Sequence, residues 1–147
     1  MSEQQIVTNL VSSWVGLGKE FSAGAPNVSK IFLYGSHERE GRSGVRYADV
    51  LFEQNGRIVY ASQLRGVDAS PARVGEVQAL LIEDLGAATQ QFDDISAPAP
   101  TEYRVVFDTE SGSVDVAVSR ESRFLGNEDF VPEDGIQLWL GDLAPTP

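Results

Sequence analysis

An Asn55-Gly56 pair joins two β-prone runs in VRYADVLFEQNGRIVYASQL, residues 45–64. Both residues tolerate positive φ, which a two-residue type I′ hairpin turn demands at its two central positions. Tyr47, Val50 and Phe52 mark a strand before the turn; Ile58, Val59 and Tyr60 continue the pairing after it. Upstream, Ile31, Phe32, Leu33 and Tyr34 form a third β-rich run. Between them EREGRSG, residues 38–44, has the polar, glycine-rich composition of a solvated hairpin loop. The stretch 28–64 therefore reads as an antiparallel three-stranded meander, and the rest of the chain must pack on it.

Residues 3 to about 21 read as a helix. Ser2 is placed to cap it, and Glu3 suits the positive end of the helix dipole. Ile6, Leu10, Trp14 and Leu17 form one apolar stripe, widened by Val7, Val11 and Val15. Gly24-Ala25-Pro26 ends the element. A second helix starts at Ser70-Pro71, an N-cap followed by proline at the first helical position, and runs to about Gln91. Val74, Val77, Leu81 and Leu85 lie along one face, with Leu80 and Ile82 beside it. After the stiff connector SAPAP, Tyr103, Val105 and Phe107 alternate with polar or smaller residues, as do Val114, Val116 and Val118. This second hairpin implies one buried and one wetter face and extends the sheet to about five strands. Residues 132–140 read as a short helix stopped by Gly141, with Ile136, Trp139 and Leu140 as anchors. The expected fold class is α+β: one domain over 1–147, an antiparallel sheet of about five strands, helices packed on one face.

Catalytic constellations are scarce. The single histidine, His37, reads as an exposed turn residue without partners, and no G-x-S-x-G elbow accompanies it. Cysteine is absent, which removes thiol nucleophiles and cysteine zinc sites and fits a cytoplasmic home. The N-terminus lacks the pattern of a signal peptide, and no apolar run approaches the ~20 residues that span a bilayer. Gly16-Leu17-Gly18-Lys19 is too short for a phosphate-binding loop and follows helix rather than strand. The acidic pairs Asp93-Asp94, Glu128-Asp129 and Glu133-Asp134 supply carboxylates for a metal-dependent hydrolase, but without the loop spacing of a cation site. No enzyme activity, cofactor or metal is expected.

Charge says more. Eleven basic against 22 acidic residues leave a formal charge of −11. Such a surface repels phosphate backbones, so a nucleic acid is not an expected partner, nor is a membrane expected; a basic protein is attracted instead. Residues 121–147 hold six acids and one base, together with Phe124, Phe130 and Trp139. Acids steer a basic partner and aromatic rings supply buried area. Glu128, Asp129, Glu133, Asp134 and Trp139 are accordingly the candidate partner-binding residues. The competing reading is that Phe130 and Trp139 pin the tail to the core while the acids face water. An open sheet face carrying Tyr34, Tyr47, Tyr60 and Tyr103 is the alternative, as a small-molecule or peptide-binding module.

The hairpin YADVLFEQNGRIVYASQL, the pair YRVVFDTESGSVDVAVS and the ending FVPEDGIQLWLGDL resemble the YezG-type (DUF600-like) immunity proteins of bacterial polymorphic toxin systems. Phe130, Pro132, Glu133 and Trp139 match the F-x-P-x…W ending of that family. The resemblance implies a helix, a meander, a further helix, a closing hairpin and an aromatic C-terminal segment. It also implies a protein that neutralises a cognate toxin by binding, without catalysis of its own.

Overall fold

The computed structural model describes residues 1–41 and 43–146. Its elements run α1 (Glu3–Ser22), β1 (Val28–Glu40), β2 (Ser43–Gln54), β3 (Arg57–Tyr60), α2 (Pro71–Asp94), β4 (Glu102–Asp108), β5 (Val114–Ser119) and α3 (Asp134–Leu140). The five strands form one antiparallel sheet in the order β3-β2-β1-β4-β5. The second hairpin therefore joins the β1 edge of the meander. The fold is α+β with the expected five strands.

The local signals act as their chemistry requires. Ser2 Oγ accepts from Gln5 N–H at 3.1 Å, and Ser70 Oγ accepts from Arg73 N–H at 3.4 Å, each satisfying a free donor of a helix start. Asn55 and Gly56 take φ of 54° and 78° in the β2–β3 turn. β1 and β2 are longer than their apolar runs suggest. They pair as far as Glu40–Ser43, so most of the supposed loop 38–44 is strand; Arg42 lies outside the described residues.

The sheet separates two apolar layers. On one side α1 and α2 bury Ile6, Leu10, Trp14, Val77, Leu81, Leu85 and Phe92 against Ile31, Leu33, Val50, Phe52, Val105 and Phe107. Trp14 sits edge-on to Tyr103, with ring centroids 5.9 Å apart, and donates its indole N–H to Leu81 O at 3.1 Å. Its ring also occupies the space that a side chain at Gly35 would need. On the other side Phe32, Tyr34 and Leu51 are covered by Ile136 of α3. Only the two long helices thus share a face, and the short helix caps the opposite one. The reason is pleat: alternate residues of β1 are apolar on both sides, so both need cover.

The alternation in β5 is also only half fulfilled. Val114, Val116 and Val118 lie on the helix side but remain exposed, because β5 is the edge strand and no described strand lies beyond it.

Candidate partner-binding surface

The C-terminal segment is fixed to the sheet chiefly at Glu38 before it opens to solvent. Glu38 of β1 faces away from α1 and α2, and its buried carboxylate is gripped by four donors. They are the backbone N–H groups of Arg123 (2.8 Å), Phe124 (3.0 Å) and Leu125 (2.9 Å) and the Ser122 hydroxyl (3.0 Å). Burial alone would raise the carboxyl pKa. The N–H groups of Leu125, Arg123 and Phe124 with the Ser122 hydroxyl outweigh it and hold the group below its usual range. Beside it Tyr34 donates its hydroxyl to Glu102 at 2.7 Å, and Arg104 and Arg123 approach the same carboxylate at 3.1 and 3.6 Å. Burial, followed by the Glu102 hydrogen bond, pushes the Tyr34 hydroxyl pKa far up, so the phenol stays protonated.

From this anchor Phe124 enters the interior, and the chain then turns outward. Asp129 N–H bonds to Asn127 Oδ1 at 2.8 Å, and Val131 N–H to Asp134 Oδ2 at 2.9 Å. Glu128, Asp129 and Glu133 are exposed, and so are Phe130, Val131, Leu138 and Leu143. Asp134 is half-buried and used locally as the acceptor for Val131. Trp139 is half-buried too: it stands edge-on to Phe32 at 5.9 Å and tilted against Tyr34 at 6.1 Å. Of the five candidates, three acids are therefore free to meet a partner, while Asp134 and Trp139 hold the segment in place. The apolar half of the surface falls instead to Phe130, Val131, Leu138 and Leu143, a group only partly signalled by the aromatic count.

Two expectations change. The four tyrosines do not share an open face. Tyr34 and Tyr103 are fully buried on opposite sides of the sheet, because successive register positions point apart. Tyr47 and Tyr60 alone reach a cleft of about 390 Å³, together with Asp49, Gln78 and Glu133. There Asp49 accepts from the Tyr47 hydroxyl at 2.9 Å and from Val50 N–H at 2.8 Å. Its burial outweighs those bonds and raises its pKa. His37, read as an exposed turn residue, is a half-buried strand residue whose Nδ1 lies 2.8 Å from Thr89 Oγ1 on α2. Burial, then the nearby Arg46 and Arg39 guanidinium groups, lower its pKa from 6.5 to about 4.

Among the described residues no group of three or more His, Asp or Glu is placed to hold a metal ion, and no helix is long and apolar enough to cross a membrane. In comparisons with known proteins, no family model matches the chain and no curated protein matches it.

Proposed function

We propose that this chain is an immunity protein that neutralises a basic toxin domain by direct contact through residues 128–143, with no catalysis of its own and acting in the cytoplasm. The observation that carries this reading is the coincidence of exposed Glu128, Asp129 and Glu133 with exposed Phe130, Val131, Leu138 and Leu143 on one anchored segment. Apolar groups supply buried area, and a rim of acids speeds encounter with a basic surface. The resemblance to YezG-type immunity proteins and the formal charge of −11 point the same way.

The test is to look for a toxin gene adjoining this one and to titrate the chain with its toxin domain, read by stopped-flow at several salt concentrations. Association should slow as salt rises, since the screening length falls to about 8 Å at physiological ionic strength. Asp129→Asn with Glu133→Gln should slow association more than it speeds dissociation. A partner whose association is indifferent to salt and to this double neutralisation would remove the surface from consideration. A second reading, capture of a small molecule or peptide, rests on the cleft walled by Tyr47 and Tyr60; Tyr60→Ala would abolish binding there and leave toxin binding intact.

A further inference from the structure

Strand β5 closes one edge of the sheet and, among the described residues, pairs only with β4. Asp108 donates its backbone N–H to Ser113 O at 2.9 Å, and Thr101 donates to Ser119 O at 2.8 Å. Alternate residues of an antiparallel ladder turn their backbone groups to opposite sides. The odd-numbered residues of β5 thus face β4, and Val114, Val116 and Val118 turn their N–H and C=O groups outward. Their side chains lie on the helix side, opposite Phe107, Val105 and Tyr103. They are nonetheless 40%, 43% and 42% exposed, since α1 and α2 pack over β1, β2 and β4 and stop short of β5. The strand has no proline, lysine or register shift, the usual devices against edge pairing. Its one charge is Asp115.

We propose that two copies of this chain associate edge to edge through β5, antiparallel about a two-fold axis at Val116. In that register Val116 meets its own counterpart and Val114 meets Val118 of the second copy. These are the residues with outward backbone groups, so every donor and acceptor of the edge finds a partner. The valines of both copies merge into one apolar stripe on the helix side. Asp115 falls opposite Ala117, not opposite another carboxylate. At each end Arg120 comes opposite Gly112 of the second copy, its own guanidinium remaining on Pro98 O and Glu3. An isologous interface requires a patch complementary to itself, and this register supplies one without setting like charges opposite each other. A single strand pair buries less than the ~1,200–2,000 Å² of a standard stable interface, so the dimer is weak and concentration-dependent. Two bodies of like net charge repel, so salt strengthens this association. Toxin capture through the acidic segment responds to salt in the opposite sense, and the two proposals fail separately.

Sedimentation equilibrium of the full chain tests it, from about 10 to about 500 µM, where weak interfaces populate. The expected result is a monomer–dimer equilibrium that moves toward dimer with concentration and with salt. Val116→Lys should raise Kd by about tenfold or more with an unchanged melting temperature, because it adds charge at an exposed edge. The chain has no cysteine, so single thiols report the register directly. Val116→Cys should form a symmetric disulfide under mild oxidation. Val114→Cys should not, since two copies of residue 114 would stand about 13 Å apart along the strand. A chain that stays monomeric at the highest concentration and salt overturns the proposal. So does a dimer indifferent to Val116→Lys, or one in which Val114→Cys cross-links as fast as Val116→Cys.

Discussion

At Glu38 strand β1 takes hold of residues 122–125, and this carboxylate and its neighbour in sequence each make stability depend on pH. Glu38→Ala strands three backbone N–H groups in a buried place, and should cost about 2–4 kcal/mol in urea unfolding. Amide exchange at 123–125 should accelerate in the same variant. Because the folded carboxyl titrates below its usual range, its contribution is full above about pH 4.5 and is lost as pH falls through the folded value. His37 acts in a different window. It is neutral in the folded state down to about pH 4, whereas the unfolded chain takes up the proton near 6.5. The unfolded state binds more protons between those values, so stability falls as the solution is acidified from 6.5 toward 4. His37→Gln should remove this slope, on the order of 1–3 kcal/mol, and leave partner binding unchanged. Neither role was legible in the sequence. Glu38 and His37 sit in a polar stretch, and what makes them structural is a partner 84 to 87 residues away for Glu38 and 52 away for His37.

Two glycines separate local from long-range causes at the level of elements. Gly56 adopts φ of 78° with nothing near the place a Cβ would occupy. Gly56→Val should therefore cost about 1–2 kcal/mol through backbone strain alone, measured as a shift in melting temperature. Gly135 is the reverse case: its backbone is helical, and an added Cβ would strike the Tyr34 ring and hydroxyl. Tyr34 is fully buried and bonded to Glu102, so it has no room to yield. Gly135→Ala should lift α3 from the sheet, cost about 1–3 kcal/mol and shift Trp139 fluorescence to the red. The first glycine is readable because a turn is written in two adjacent residues. The second is not, since only the assembled sheet shows what lies beneath it. The same division runs through the strands. Period-two alternation correctly paired Tyr103, Val105 and Phe107 with one face, but it carried no information on whether a helix would cover Val114, Val116 and Val118. The helix caps at Ser2 and Ser70, being local, fall where the sequence puts them.

Across the whole molecule, charge and apolar cover are distributed unevenly. One layer of the sheet is closed by two long helices, whereas the other depends on a seven-residue helix at the end of a segment held by Glu38. That segment carries both the structural Trp139 and the exposed Phe130, and the two aromatics make opposite predictions. Trp139 packs on Phe32 and Tyr34, so Trp139→Ala should lower stability by about 2–4 kcal/mol as the layer loses its cover. Its effect on partner binding should then vanish when binding is measured well below the lowered melting temperature. Phe130 is exposed on the outward-facing turn. Phe130→Ala should leave the melting curve within about 0.5 kcal/mol of the parent, as surface changes do. If it is an anchor that inserts into the proposed partner, the same variant should weaken binding by about tenfold or more, chiefly through faster dissociation. Acids around an anchor act on the encounter rate and the ring acts on residence time, so Phe130→Ala and the Asp129/Glu133 neutralisation should change different rate constants. A Phe130→Ala protein that binds as tightly as the parent would show that this ring is not the anchor, and would leave Val131, Leu138 and Leu143 as the apolar part of the contact.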